Sequence, residues 1–477
     1  MTSWRTTRRA ALRMGAAAAA LMLTGSAPAL SAAASPAVRQ PNILFILVDD
    51  MGFADLSISG NRLVATPNID ALARDGMVMT QFYNAAPICS PSRAGFMTGQ
   101  FPAANRFVTF IAHRRRNEQF GQAHWLDPQI PVLPRALKSV GYATGHFGKW
   151  HLGGGRDIGD APLPSAYGID ESYTQFEGLG PRLLPNDLDG DLARQSAQLG
   201  QGPIDWAPRA EVTARFVDKT LDFVRRHRDG PWFAQLWLDD VHTPWKPNAE
   251  QIAAVKGKGK NEAEDRFLAV LVAMDAQIGR LMEGLRQAGA LDNTLIVFTS
   301  DNGPTVGAQT PGSAGPYRGR KASLYEGGVR QPLIVRWPGQ VKPGSWDATT
   351  VTQAVDLFPT LARIAGAAAP EGVDGIDIGR AWRGSPLMKR PDLYMHVARP
   401  AAEAQFGPLY SIRSGAWKLL MNADGSGMEL YNIDDDPREQ DDRVTQNADV
   451  TKRLSAKLSA WIAKLPTPGP AVGKAMQ

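Results

Sequence analysis

The sequence predicts an α/β fold: a large, mainly parallel sheet sandwiched by helices, plus a smaller C-terminal domain with a short antiparallel sheet and a helix. Three observations predict it. From Asn42 onward, apolar runs of strand length alternate with stretches of helical periodicity, the pattern of a parallel sheet covered on both faces. Four of these runs stop abruptly at reactive polar residues, as strands do where they reach one edge of such a sheet. After about Ala368 the texture changes to a Pro/Gly/Ala-rich stretch and then to short strand candidates at hairpin spacing.

Taken in order, residues 1–34 have the three parts of an export signal. Arg8 and Arg9 form a twin-arginine pair, the apolar run from Gly15 to Leu23 is too brief for a membrane span, and a small-residue cleavage zone follows at Ala32 to Ala34. A twin-arginine signal implies export of an already folded chain, periplasmic or secreted, without a stable membrane anchor. The large domain, residues 41–368, carries strands at "NILFILV" (42–48), "YATGHFG" (142–148), "WFAQLWL" (232–238), "TLIVFTS" (294–300) and "PLIVRW" (332–337). Between them, "NIDALARDG", "VLPRALKSVG", "EVTARFVDKTLDFVRRH", "EDRFLAVLVAMDAQIGRLMEGLRQAG" and "QAVDLFPTLARIAG" read as helices that end at a glycine or a basic turn. The small α+β domain, residues 385–477, offers strands at "LYMHV", "YSIRSG", "AWKLLMN" and "MELYNI", then an amphipathic helix over roughly 448–465.

Charge excludes one class of partner. The formal net charge is +5, and Arg5, Arg8, Arg9 and Arg13 lie in the segment to be removed, which leaves about +1. Nothing in that balance calls for nucleic acid. The single cysteine, Cys89, cannot form an internal cross-link in an exported protein. It stands before Ser90-Pro91-Ser92, a helix-start sequence with proline in the first turn and hydroxyls able to cap free amides. The thiol would face the positive end of a helix dipole.

The chemistry collects at the strand ends. "NILFILV" runs into Asp49-Asp50, "TLIVFTS" into Asp301-Asn302-Gly303, "YATGHFG" into Lys149-Trp150-His151, and "WFAQLWL" into Asp239-Asp240-Val241-His242. Either acidic pair alone reads as turn residues, but two pairs on one sheet edge form a set of hard oxygen donors. Asp49, Asp50, Asp301 and Asn302 suit Ca²⁺ or Mg²⁺ and not zinc. Arg93, Lys149, Lys321, His151 and His242 supply cations and proton carriers beside them, which points to an anionic substrate with tetrahedral oxygens, a phosphate or a sulfate. A thiol is a poor nucleophile for such hard centres, so Cys89 as a plain cysteine leaves the site unexplained.

These residues resemble the type I, formylglycine-dependent sulfatases of the alkaline phosphatase superfamily, arylsulfatase-like enzymes. The signature stands as Cys89-Ser90-Pro91-Ser92-Arg93-Ala94-Gly95 with Met97-Thr98-Gly99, supported by "LVDDMGFADL", "TPNIDALARDG", "GYATGHFGKWHLGG", "HTPW", "FTSDNG", "GRKASLYEGGVRQP", "VDLFPTLARIAG" and "IRSGAWKLL". The resemblance implies an alkaline phosphatase-like catalytic domain over 41–368 and hydrolysis of sulfate monoesters, of a sulfated saccharide or an aryl alcohol. It implies that a formylglycine-generating enzyme oxidises Cys89 to Cα-formylglycine. One hydroxyl of the aldehyde hydrate attacks sulfur, and the other then expels sulfate. It further implies Asp49, Asp50, Asp301 and Asn302 as ligands of Ca²⁺, with Mg²⁺ the alternative. Arg93 and Lys149 then hold the diol, His151 removes its second proton, His242 stands at the leaving oxygen and Lys321 binds sulfate. Leu324 departs from the pattern, standing where Thr or Ser is expected. Trp245 and the stretch 110–127 are candidates for the substrate pocket, and Arg114, Arg115 and Arg116 read either as a solvated run or as contacts to an anionic sugar chain. Two alternatives stay open: a phosphate mono- or diester hydrolase of the same superfamily, against which Cys89 in place of Ser or Thr argues, and a non-catalytic anion-binding relative.

Overall fold

Every residue of the first strand, β1 (Asn42–Val48), is buried, and its side chains alternate between two apolar layers. Ile43, Phe45 and Leu47 enter one core, whereas Leu44, Ile46 and Val48 enter the other. A strand apolar on both faces needs cover on both. The helices Cys89–Thr98, Leu133–Lys138 and Leu357–Ala365 contribute to the first layer, and Pro67–Arg74, Val212–Arg226 and Glu262–Gln287 to the second. The computed structural model describes residues 40–305, 307, 310–368, 370–387 and 390–466. The export signal lies outside the described residues.

The other strands of the large sheet are β2 (Met77–Tyr83), β3 (Ala143–Lys149), β4 (Glu171–Gln175), β5 (Arg182–Pro185), β6 (Ile204–Ala207), β7 (Trp232–Leu238), β8 (Thr294–Ser300), β9 (Arg330–Arg336), β10 (Ser345–Asp347) and β11 (Thr352–Gln353). Their order is β10-β2-β9-β8-β1-β7-β3-β4-β5-β6, with β11 beside β2. All pairings among the described residues are parallel except the two made by β9. The expected mainly parallel sheet is present, and β9 runs against it because the chain leaving β8 turns back at the same edge.

Sequence periodicity missed β2, β4, β5, β6, β10 and β11. In β2 the consecutive polar residues Thr80 and Gln81 interrupt the apolar pattern, and the pairing register shifts across them, between Met79 and Phe82. The others are short, and their polar residues obscure the alternation.

The four C-terminal strands, β12 (Leu393–His396), β13 (Tyr410–Ser414), β14 (Trp417–Met421) and β15 (Glu429–Asn432), form the antiparallel sheet that turn spacing predicts. Helix Ala448–Ile462 packs Leu454 and Leu458 onto Ile412, Leu419, Met421 and Leu430. A buried ionic knot joins this sheet to the large one. Glu326 accepts from Tyr83 Oη at 2.5 Å, Lys418 Nζ at 2.9 Å and Arg330 Nη1 at 3.2 Å, and Lys418 also meets Glu439 at 2.9 Å. Burial would raise Glu326, but Lys418, Arg330 and Arg413 hold it down to about 2. Leu324 is fully buried in the apolar cluster at this junction, with Tyr83, Tyr325 and Leu393, which accounts for a leucine in place of a hydroxyl residue.

Candidate active site

β1, β8, β3 and β7 lie near one another in the sheet, so their C-terminal ends deliver Asp49-Asp50, Asp301-Asn302, Lys149-His151 and Asp239-His242 to one edge. The structure brings the ten sequence-predicted residues into one interlinked site. Cys89 Sγ donates to Asp49 Oδ1 at 3.2 Å. Arg93 Nε donates to Asp301 Oδ2 at 2.9 Å, and its Nη1 to the Lys149 carbonyl at 2.9 Å. Lys149 pairs with Asp49. Lys321 Nζ bonds Asp50 Oδ1 at 2.6 Å and Oδ2 at 2.8 Å. His242 Nε2 lies 3.8 Å from Asp50 Oδ2, and Asn302 Nδ2 donates to Asp50 Oδ1 at 2.8 Å. Asp50 and His151 both adopt left-handed backbone conformations, with φ of 61° and 54°. Such strain in non-glycine residues costs of order 1–3 kcal/mol and persists where the surroundings enforce it.

Helix Cys89–Thr98 begins at the cysteine itself, and its N-cap, Ile88, has no side-chain bond to give. The expected hydroxyl caps are not formed: Ser90 Oγ accepts from Ile111 N at 3.0 Å instead, and Ser92 Oγ has no partner among the described residues. Pro91 does fall in the first turn. The thiol is not a thiolate, because burial and the neighbouring Asp49 charge push it up to about 12 despite Lys149 and Lys321. A helix N-terminus does not offset that.

The charges set each other. Burial works against the Asp49 carboxylate, but Lys149, His242, Arg93 and Lys321 hold it well below the usual range. Asp301 goes the other way, to about 7, because burial and the Asp49 charge outweigh Arg93. His151 is buried beside Lys149 and Arg93, which keeps it neutral by holding its proton affinity well below the usual range. Burial and then Lys321 lower His242, which Asp50 and Asp49 partly restore. The neutral imidazole of His151 within this cationic cluster suits a proton acceptor.

The carboxylates of Asp49 and Asp50 and the Asn302 amide fit a hard dication, whereas Cys89 and His242 beside them offer softer sulfur and nitrogen. Ligand atoms of Asp49, Asp50, Cys89 and His242 lie within 4.8 Å of one another. The Asn302 Oδ1 amide oxygen is buried and takes no hydrogen bond from any described residue. An orphan acceptor beside paired carboxylates is what an oxygen-liganded ion requires.

A cavity of about 430 Å³ opens over this cluster, lined among others by Cys89, Lys149, His151, His242 and Lys321. From the stretch 110–127 only Phe110 reaches it. Trp245 does not line it: its Nε1 donates to Val241 O at 2.8 Å, and its ring packs edge-on against Phe267. Arg114 pairs with Asp160 and Arg116 stacks on Phe110 and Phe120, so two of the three arginines serve local packing.

Sequence reasoning missed several supports. Arg209 pairs with Asp239 and reaches the His242 carbonyl at 3.4 Å, and Thr305 Oγ1 donates to Asp50 Oδ2 at 3.1 Å. Arg156, Phe176 and Glu177 line the cavity. Arg156 alone had a signal, following three glycines directly after the His151 motif.

The sulfatase family model matches residues 41–367, and a model described as N-sulphoglucosamine sulphohydrolase, C-terminal, matches 317–464. N-acetylgalactosamine-6-sulfatase of Canis lupus familiaris is 33% identical over 390 residues, covering 78% of this chain and 72% of its own. Arylsulfatase A of Homo sapiens is 32% identical over 418 residues, covering 83% and 78%. Among solved structures, Ps i-CgsB in complex with k-i-k-neocarrahexaose superposes with a TM-score of 0.77 at 28% identity, over 90% of this chain and 94% of that one. With the motifs in place on an alkaline phosphatase-like fold, the chain belongs to the sulfatase family of sulfuric ester hydrolases.

Proposed function

We propose that the protein hydrolyses sulfate monoesters, of a sulfated saccharide or an aryl alcohol, through a formylglycine made from Cys89 by a formylglycine-generating enzyme, with a divalent cation, Ca²⁺ or Mg²⁺, held by Asp49, Asp50, Asp301 and Asn302. The observation that carries this reading is the position of Cys89, whose Sγ lies 3.2 Å from Asp49 Oδ1 in the wall of a cavity that Lys149, His151, His242 and Lys321 also line. A thiol is in any case a poor match for a hard sulfuryl centre.

When present, the aldehyde hydrate supplies a hydroxyl nucleophile and a second hydroxyl whose deprotonation clears the adduct, and the cation supplies Lewis acidity toward the sulfuryl oxygens. The chain's own residues do the rest. Arg93 and Lys149 hold the group at position 89 and stabilise charge that grows on it. Lys321 binds the sulfuryl oxygens. His151, kept neutral by its cationic neighbours, accepts the proton of the second hydroxyl. His242 Nδ1 donates to the carbonyl of its neighbour Thr243 at 2.6 Å, so Nε2 faces the site and delivers a proton to the leaving oxygen from the imidazolium form, which Asp50 and Asp49 favour.

The twin-arginine segment supports export to the periplasm or beyond, and residues 41–368 and 385–477 are taken as the catalytic domain and a small C-terminal subdomain. The test is turnover of the purified, matured protein on a panel of sulfated sugars beside 4-nitrophenyl sulfate. Release of sulfate from at least one is expected, and release from none overturns the reading.

A further inference from the structure

Past the reactive cluster, the cavity wall is largely apolar, with Phe110, Phe176, Leu184 and Leu188. Several charged residues on it are already engaged: Arg209 with Asp239, Asp189 with Lys246, and Lys321 with Asp50. Arg156 differs. Its Nε donates to Glu177 Oε1 at 2.7 Å, and neither Nη is bonded to a described residue. The Arg156 side chain is 16% exposed against 2% for Glu177. One end of the guanidinium is therefore anchored on a buried carboxylate, and its other nitrogens remain available on the cavity wall.

The arrangement is built into the backbone. Gly153 and Gly154 have φ of 125° and 96°, and Arg156, Phe176 and Glu177 have φ of 57°, 45° and 58°. A Cβ at Gly155 would lie 2.7 Å from both Cδ and Oε2 of Glu177, so that loop lies directly on the carboxylate. His151 N donates to Phe176 O at 3.1 Å, which ties the same loop to the proposed base. Strained left-handed residues kept on both sides of one ion pair, beside reactive groups, indicate a position held for a ligand.

We propose that Arg156 is a specificity-determining residue that binds a second oxyanion on the alcohol part of the substrate, a carboxylate or a further sulfate of a saccharide, with Glu177 as the residue that positions it. This rests on the sulfate-ester reading above. The planar guanidinium can present two parallel N–H groups to an oxyanion, and a charge-assisted contact of that kind changes affinity by about 10- to 100-fold. An aryl sulfate without a second acid group gains nothing from it.

The experiment compares kcat and KM of wild type, Arg156→Ala, Arg156→Lys and Glu177→Gln on four probes: 4-nitrophenyl sulfate, a monosulfated N-acetylhexosamine, its disulfated counterpart, and a monosulfated disaccharide that carries a uronate. Arg156→Ala is expected to raise KM for one or both doubly anionic probes by about 10- to 100-fold while the singly anionic probes change less than about 3-fold. Arg156→Lys and Glu177→Gln are expected to give a smaller loss of the same selectivity, at thermal midpoints close to wild type; they carry the test should Arg156→Ala fail to fold. Equal losses on all four probes, or no change on any, overturn the inference and leave the sulfatase reading standing. Failure of the wild type on every probe overturns both.

Discussion

At position 89 the surroundings decide what the side chain can do. Burial and the Asp49 charge push the thiol up, and the proposed reading makes this residue a precursor of the nucleophile. Cys89→Ala is expected to reduce turnover to the uncatalysed background, and His242→Ala to lower kcat by about 10²- to 10⁴-fold, the usual worth of a positioned proton donor. Both variants should keep the wild-type circular dichroism spectrum and thermal midpoint within a few degrees; near-normal rates in either would contradict its assigned role. The ten candidate residues could be picked out because each belongs to a short motif at a strand end, a helix start or a turn, and the structure brings those motifs to one sheet edge. Glu177 could not, and Arg156 had only the glycines before it as a signal, with nothing to pair the two. Their juxtaposition depends on left-handed φ values and on the glycines that let two loops touch, and neither leaves a periodic trace in the sequence.

Among the elements, the turn directly after β8 carries a severe steric demand. A Cβ on Gly303 would meet Gly327 O at 2.0 Å, and Gly303 N already donates to Gly328 O at 2.9 Å. Gly303→Ala must therefore move the Asp301-Asn302 turn or the segment that carries Lys321, and is expected to cost about 1–3 kcal/mol of stability and at least tenfold in activity. Chemical denaturation and kinetics on the same preparation check both. The buried knot of Glu326, Lys418 and Glu439 makes a second demand. Lys418→Met removes the cation between two buried carboxylates and is expected to destabilise the protein by about 3–5 kcal/mol, read as a shift in urea midpoint. Strands β1, β7 and β8 were legible to the residue because both their faces are apolar. β2 was not, since Thr80 and Gln81 adjoin its register shift, and the direction of β9 follows from where its preceding loop lies, which periodicity does not encode.

For the whole molecule, the α/β class and the added antiparallel sheet were readable from alternation and turn spacing, whereas the strand order depends on long-range pairing that no local pattern reports. A resident dication would tie β1 to β8 through Asp49, Asp50, Asp301 and Asn302, so ligand binding and folding are coupled. Exhaustive chelation is expected to lower both activity and the thermal midpoint, and Ca²⁺ or Mg²⁺ to restore them; full activity after chelation would contradict the ligand assignment. The most direct test of the central claim is mass spectrometry of the tryptic peptide that contains Cys89, taken from a preparation whose turnover has been measured. An aldehyde, or its hydrate, at position 89 in proportion to activity is the predicted result, and an active preparation that carries only the unoxidised thiol would contradict it.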